Sequence, residues 1–205
     1  MNIPELLSHS FYLNEDVVEI ARELIGKKLV TRFNGVITSG MITETEAYAG
    51  IKDRASHAFG GRHTSRTSIM YQTGGTAYVY LCYGVHSLFN VVTNIAEIPD
   101  AVLIRGIKPL DGVDKMLERT GKSEINRNFG VGPGKVSKCL GIHFSHSGLP
   151  VTEIEGQSAE TGLKIWIENN DLVFGKNEII VGPRIGVDYA GEDALLPYRF
   201  LLKRA

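Results

Sequence analysis

The chain has 205 residues, 43% of them hydrophobic and 22% charged, with 22 Lys plus Arg against 23 Asp plus Glu and a formal net charge of −1. That length carries one domain with a sizeable core, and the composition excludes a disordered chain. The near-neutral balance excludes a protein that coats nucleic acid along its whole surface, while leaving room for a local basic face.

The opening stretch, MNIPELLSHSFYL, lacks the basic-then-apolar order of a secretory signal, and no window reaches the apolar length of a membrane span. The expectation is a cytoplasmic protein with no membrane partner. Cys82 and Cys139 lie far apart and outside any CxxC pair, so they read as two buried, reduced thiols and not as a disulfide or zinc site.

In chain order, DVVEIARELIG (Asp16–Gly26) has helical apolar spacing, with Asn14 as a candidate cap and Gly26 as the stop. KKLVTRF and VITSGMITETEAY flank Asn34-Gly35, a strong hairpin signal. The second run alternates loosely and ends at Glu44–Tyr48; the stretch that follows, to Arg66, loses periodicity and reads as a loop with room for a short helical turn. Thr76–Asn94, rich in aromatic and β-branched residues, predicts two strands turning near Tyr83-Gly84. DAVLIRGIKPL predicts a buried strand ended by Pro109, and DGVDKMLERTG a short amphipathic helix capped by Asp111 and stopped by Gly121. GPGKVSKCLGI opens another helix through glycines, and the last third alternates short strands with turns. The sum is one α+β domain over residues 1–205, with a curved, largely antiparallel sheet flanked by helices and a protruding β-hairpin.

Reactive residues crowd one stretch, ETEAYAGIKDRASHAFGGRHTSR. Glu44 and Glu46, two apart, share a strand face, and a carboxylate among aromatics has a tunable pKa suited to activating water. For an isolated ETE the ordinary reading is the solvent face of an edge strand; Tyr48, His57 and the arginines that follow shift the balance. Tyr78 and Tyr80 share a face, and core packing explains Tyr78 well. It explains Tyr83 poorly, because a tyrosine at a hairpin tip has little to pack against; such a tip suits insertion between stacked bases. His57, His63 and His86 match no metal-ligand spacing, so no metal is expected. Gly132–Gly134 with Lys135 is a weak signal of anion contact, or a simple turn. Basic residues gather at Lys52, Arg54, Arg62 and Arg66 and again at Arg199, Lys203 and Arg204; acidic ones gather at 153–160 and 188–193.

Together ETEAY (Glu44–Tyr48), His57 with Gly60–Arg62, YVYLCYG (Tyr78–Gly84), Asn90, VLIRGIKP (Val102–Pro109), GPGK (Gly132–Lys135), RIGVDYAG and PYRF resemble the alkyladenine (3-methyladenine) DNA glycosylase family, in order from about Phe11 to Leu202. The resemblance implies Glu46 as the general base for a water and Arg105 as the residue holding that water or the carboxylate. It implies a base pocket walled by Tyr48 on one side and by His57 and Tyr80 on the other, with Asn90 screening purine substituents. Tyr83 becomes the wedge, and Arg62, Thr64 and Lys135 the DNA-backbone contacts. It also implies duplex DNA with damaged purines as partner, a monofunctional reaction without cofactor, and a bacterial, nucleoid-associated monomer. Against animal relatives the expected departures are the lack of their N-terminal extension, Gly134 where they carry serine, and Val85 where they carry a larger apolar residue. Two other readings are a nucleic-acid-binding module without catalysis and a small-molecule hydrolase using Glu46. The pairing of Glu46 with Arg105 speaks against the first, and Tyr83 against the second.

Overall fold

Asn34 and Gly35 both take left-handed backbone, φ 52° and 77°, and fold β1 (Lys28–Phe33) back onto β2 (Val36–Tyr48) as the Asn-Gly signal predicts. In the computed structural model, which describes residues 5–153, 164–170, 172 and 174–203, this hairpin is the middle of an eight-stranded sheet. Its other strands are β3 (Ala77–Cys82), β4 (His86–Thr93), β5 (Asp100–Pro109), β6 (Ile165–Glu168), β7 (Ile179–Gly182) and β8 (Arg199–Leu202). The order is β3-β4-β5-β2-β1-β6, with β7 on β8 and β8 on β2, and the pairings are antiparallel. The α+β architecture follows the expectation.

The helices are α1 (His9–Tyr12), α2 (Val17–Glu23), α3 (Val113–Thr120) and α4 (Pro133–Leu140). One face of the sheet packs Val79, Phe89, Val91, Ile104 and Ile42 against Ile20 of α2 and Val136 and Leu140 of α4. Thr45, on that face, donates its hydroxyl to Ala21 O of α2 at 2.6 Å. The opposite face carries the loop from Ala49 to Thr76. That loop holds 3-10 turns at Gly50–Lys52 and Phe59–Gly61, where one short helical turn is expected, and a third at Thr67–Tyr71, beyond that stretch.

Both expected helix caps shift by local competition. Asp16, not Asn14, caps α2, accepting from Val18 N and Glu19 N; Asn14 accepts from Asp16 N before the helix begins. Gly112, not Asp111, sits at the start of α3, because the Asp111 carboxylate is taken by Ser39 Oγ (2.6 Å) and Lys28 (3.1 Å). Gly112 has φ 70°, and a Cβ there would lie 2.4 Å from Ile37 O. Cys139 is buried, but Cys82 is only half-buried: it ends β3 beside the hairpin tip, where one side is uncovered. Arg204 and residues 154–160 of the acidic run lie outside the described residues. Among the described residues no helix is long and apolar enough to cross a membrane.

Candidate active site

A row of register partners crosses five strands: Tyr78, Asn90, Leu103, Glu46 and Arg199. Directly opposed residues in antiparallel strands point to the same face, as do residues two apart along a strand. Tyr80, Leu88, Arg105, Glu44 and Tyr48 therefore join the row on the face away from α2 and α4. The sheet register alone assembles most of the candidate site.

Glu44 and Glu46 do not occupy a solvent-facing edge. At these positions β2 pairs with β5 on one side and β8 on the other, and both side chains are buried, Glu46 completely. The β2–β5 register slips around Glu44 and skips Arg105, a bulge that Gly106 permits: a Cβ there would stand 2.8 Å from Thr43 Oγ1. Arg105 Nε lies 3.3 Å from Glu44 Oε1 and from Glu46 Oε1, and Nη1 donates to Glu46 Oε2 at 3.4 Å. Arg199 Nε holds Glu44 at 2.6 Å. Glu46 also accepts from Ile185 N–H (2.8 Å) and from Tyr48 O–H (2.9 Å). Burial raises its pKa, against the pull of Arg105, Ile185 N–H and Tyr48 O–H and with a small push from Glu44.

Above these groups opens a cavity of about 260 Å³, small beside ligand sites that start at roughly 300 Å³. Tyr48, His57, Tyr80, Asn90, Tyr83 and Arg105 all line it. Glu46 does not; it lies directly beneath Tyr48, Arg105 and Ile185, which do. His57 reaches in from the Ala49–Thr76 loop, its Nδ1 hydrogen-bonded with Tyr78 O–H at 2.8 Å and its ring edge-on to Tyr80 at 4.6 Å. Burial first, then Arg66 and Arg62, lowers the His57 pKa to about 4, so the ring is neutral at physiological pH. Burial pushes the Tyr78 hydroxyl up to about 12. Asn90 donates its amide to Tyr78 O (3.1 Å) and Leu88 O (3.3 Å), which fixes its orientation at the wall.

Tyr83, 94% exposed, stands on the β3–β4 tip with Gly84, both left-handed at φ 51° and 70°, where Val85 N–H closes onto Cys82 O at 3.1 Å. Arg62 and Thr64 are exposed on the loop that carries His57 and do not enter the cavity; the Thr64 hydroxyl is shared with Thr67. Lys135 and Tyr83 both line a second, open cavity with His86, Lys122 and Lys138. His86 packs where a Gly134 side chain would begin, 3.2 Å from a Cβ built there, so the glycine is matched to a bulky neighbour. Among the described residues no group of three or more His, Cys, Asp or Glu could hold a metal.

Sequence reasoning assigned no role to Ile185, Val187 and Tyr189, which complete the cavity wall, nor to Arg184 beneath it. The signal was the RIGVDYAG run, apolar residues set around a glycine and far in sequence from every other site residue.

The model of the methylpurine-DNA glycosylase family matches residues 10–205. A Chlamydia felis protein named "Putative 3-methyladenine DNA glycosylase" is 43% identical over 198 residues, covering 96% of each chain. Proteins of the same name from Clostridium perfringens (38% over 204 residues, 96% of this chain and 95% of theirs) and Bacillus cereus strain G9842 (40% over 199 residues, 95% and 94%) are also similar.

Proposed function

The chain belongs to the methylpurine-DNA glycosylase family, hydrolases of N-glycosyl bonds in DNA repair, and from that premise we propose that it excises alkylated or deaminated purines from duplex DNA by turning the nucleotide out of the helix. A base inside a duplex is out of reach of any buried carboxylate, so the nucleotide has to rotate into the cavity, at a cost of a few kcal/mol that a damaged or mispaired base lowers. Tyr83 stacks in the vacated space, and the purine lies between Tyr48 and the His57–Tyr80 pair; base–aromatic stacking contributes roughly 1–3 kcal/mol per base. Purines alkylated at a ring nitrogen carry positive charge, which the tyrosine faces attract. Asn90, held by two backbone carbonyls, screens purine substituents.

In this reading ionised Glu46 takes a proton from a water at the floor formed by Arg105 and Ile185. The water oxygen bonds to the sugar C1′, and the N-glycosidic bond breaks with its electron pair leaving on the purine. A cationic alkylated base departs neutral and needs no acid. No lysine attacks the sugar, so the product is an abasic site. Arg62, Thr64 and Lys135 contact phosphates. No cofactor is required, and the working form is a cytoplasmic monomer on DNA.

The observation that carries the proposal is the buried Glu46–Arg105 pair lying directly beneath an aromatic cavity whose rim bears an exposed tyrosine. The test is base release, followed by chromatography, from methylated, etheno-adenine and inosine duplexes side by side, with wild type and Glu46→Gln. Glu46→Gln is expected to bind these duplexes and release no base; release at near wild-type rate rejects the mechanism.

A further inference from the structure

Arg184 has none of the roles above, yet it is buried beneath the cavity. Its guanidinium lies between two rings, 4.9 Å from the Tyr48 centroid and 5.2 Å from that of Tyr198. Nη1 donates to Ala47 O (2.8 Å) and Asp53 Oδ2; Nη2 donates to Asp53 Oδ1 (2.9 Å) and Asp193 O (3.0 Å). Asp53 in turn accepts from Ala49 N (3.1 Å) and Ala55 N (2.9 Å). One ion pair thus ties together the end of β2, the loop that follows it and the segment at Asp193. All of these converge on the ring of Tyr48, and the next residue along, Ile185, gives its N–H to Glu46 Oε1.

A buried ion pair seldom stabilises a fold more than well-packed apolar residues of the same volume, so its presence asks for another explanation. Arg184 Nε is buried with no partner among the described residues, which shows the fork aligned for its two ends at the expense of its stem. Only a planar fork stacks on a ring and grips a carboxylate with both ends at once; lysine does neither.

We propose that Arg184, clamped by Asp53, is a positioning residue for excision: it fixes the Tyr48 wall and holds the Ile185 N–H on the Glu46 carboxylate, so that the base is oriented and ionised before DNA arrives. This rests on the reading of Glu46 as the water-activating base. An N–H bond to a carboxylate favours the ionised form, so loosening Ile185 raises the pH at which Glu46 becomes competent. The other groups facing Glu46 are Arg105, Glu44 and Tyr48, with Arg199 acting through Glu44, and Tyr80 and Tyr189 farther out.

The test compares wild type, Arg184→Lys, Asp53→Asn and Glu46→Gln in single-turnover excision across pH, on whichever damaged duplex wild type processes fastest. Binding to an abasic-site duplex and the melting temperature are measured alongside. Expected for Arg184→Lys and Asp53→Asn is a rate about tenfold lower or worse, the scale of a small misplacement in a catalytic group, with an acid limb moved to higher pH and Kd nearly unchanged. A rate near wild type, or a slower rate with the acid limb unmoved, overturns the proposal; the latter reduces Arg184 to a structural residue. Should Arg184→Lys not fold, Asp53→Asn is measured in the same way, and the same outcomes support or overturn the proposal. Failure of the base reading looks different: Glu46→Gln itself would release base.

Discussion

Glu46 is fully buried while Arg105, the Ile185 N–H and the Tyr48 O–H favour its ionised form, and burial outweighs them. Its pKa in the fold is therefore above the unfolded value, so its contribution to stability is complete below the unfolded pKa and is lost as pH rises through the folded one. Once ionised, the buried carboxylate costs stability that Gln does not, so the melting temperature of Glu46→Gln in calorimetry is expected to gain on that of wild type as pH rises through the folded pKa, while base release is lost. A melting temperature that falls behind instead would mean that Arg105, Ile185 and Tyr48 outweigh burial. His57 has the opposite sign. Its folded pKa of about 4 is below the ordinary histidine value of about 6.5, so its contribution is complete above about 6.5 and lost as pH falls towards 4. Urea unfolding at pH 7 and 4.5 is expected to show a drop in wild type that shrinks in His57→Gln; an equal drop in both assigns it elsewhere.

At the scale of elements, the β3–β4 hairpin is built at a cost. A left-handed backbone costs a non-glycine residue about 1–2 kcal/mol, and an almost fully exposed Tyr83 recovers little of it by packing within the chain. Tyr83→Asn, which tolerates that conformation, is expected to raise the melting temperature by about 2–4 °C, the shift that about 1 kcal/mol produces in a chain of this size. Excision from duplex should fall more than excision from single strands. Equal loss on both substrates would remove the wedge from the mechanism. Two glycines separate strain from space. Gly35, φ 77°, has nothing within 4 Å of a built Cβ, so Gly35→Ala should cost about 1 kcal/mol from backbone conformation alone. Gly112→Ala adds the collision with Ile37 O and should cost more, by denaturant titration of both.

Across the whole molecule, the net charge of −1 limits how much DNA affinity can come from a general field. The proposed backbone contacts supply two cations, Arg62, exposed on the loop that carries His57, and Lys135, in the cavity that Tyr83 also lines. Each neutralised phosphate contributes about −0.9 to the slope of log K against log salt, so a slope of about −2 is expected, reduced to about −1 in Lys135→Ala. A much steeper slope would bring in the lysines of the second cavity, Lys122 and Lys138.

The strands, both hairpins, the Gly121 helix stop and the family motifs are legible in the sequence; Gly26 is not the stop expected, since α2 ends at Glu23 with Leu24 as its C-cap. They depend on alternation, on turn chemistry at Asn34-Gly35 and Tyr83-Gly84, and on residue order, all of which are local. The caps expected at Asn14 and Asp111 differ from those observed for a physical reason: a polar side chain goes to its best partner, and for Asp111 that partner is brought from β1 and β2 by folding. Only the tertiary structure decided that the ETE strand is interior, because β8 returns from the far end of the chain to cover it. It alone set Arg184 against Ala47 and Asp53, 137 and 131 positions away, and Ile185 against Glu46, 139 away. No periodicity encodes such contacts, since burial and register between distant strands are properties of the assembled sheet.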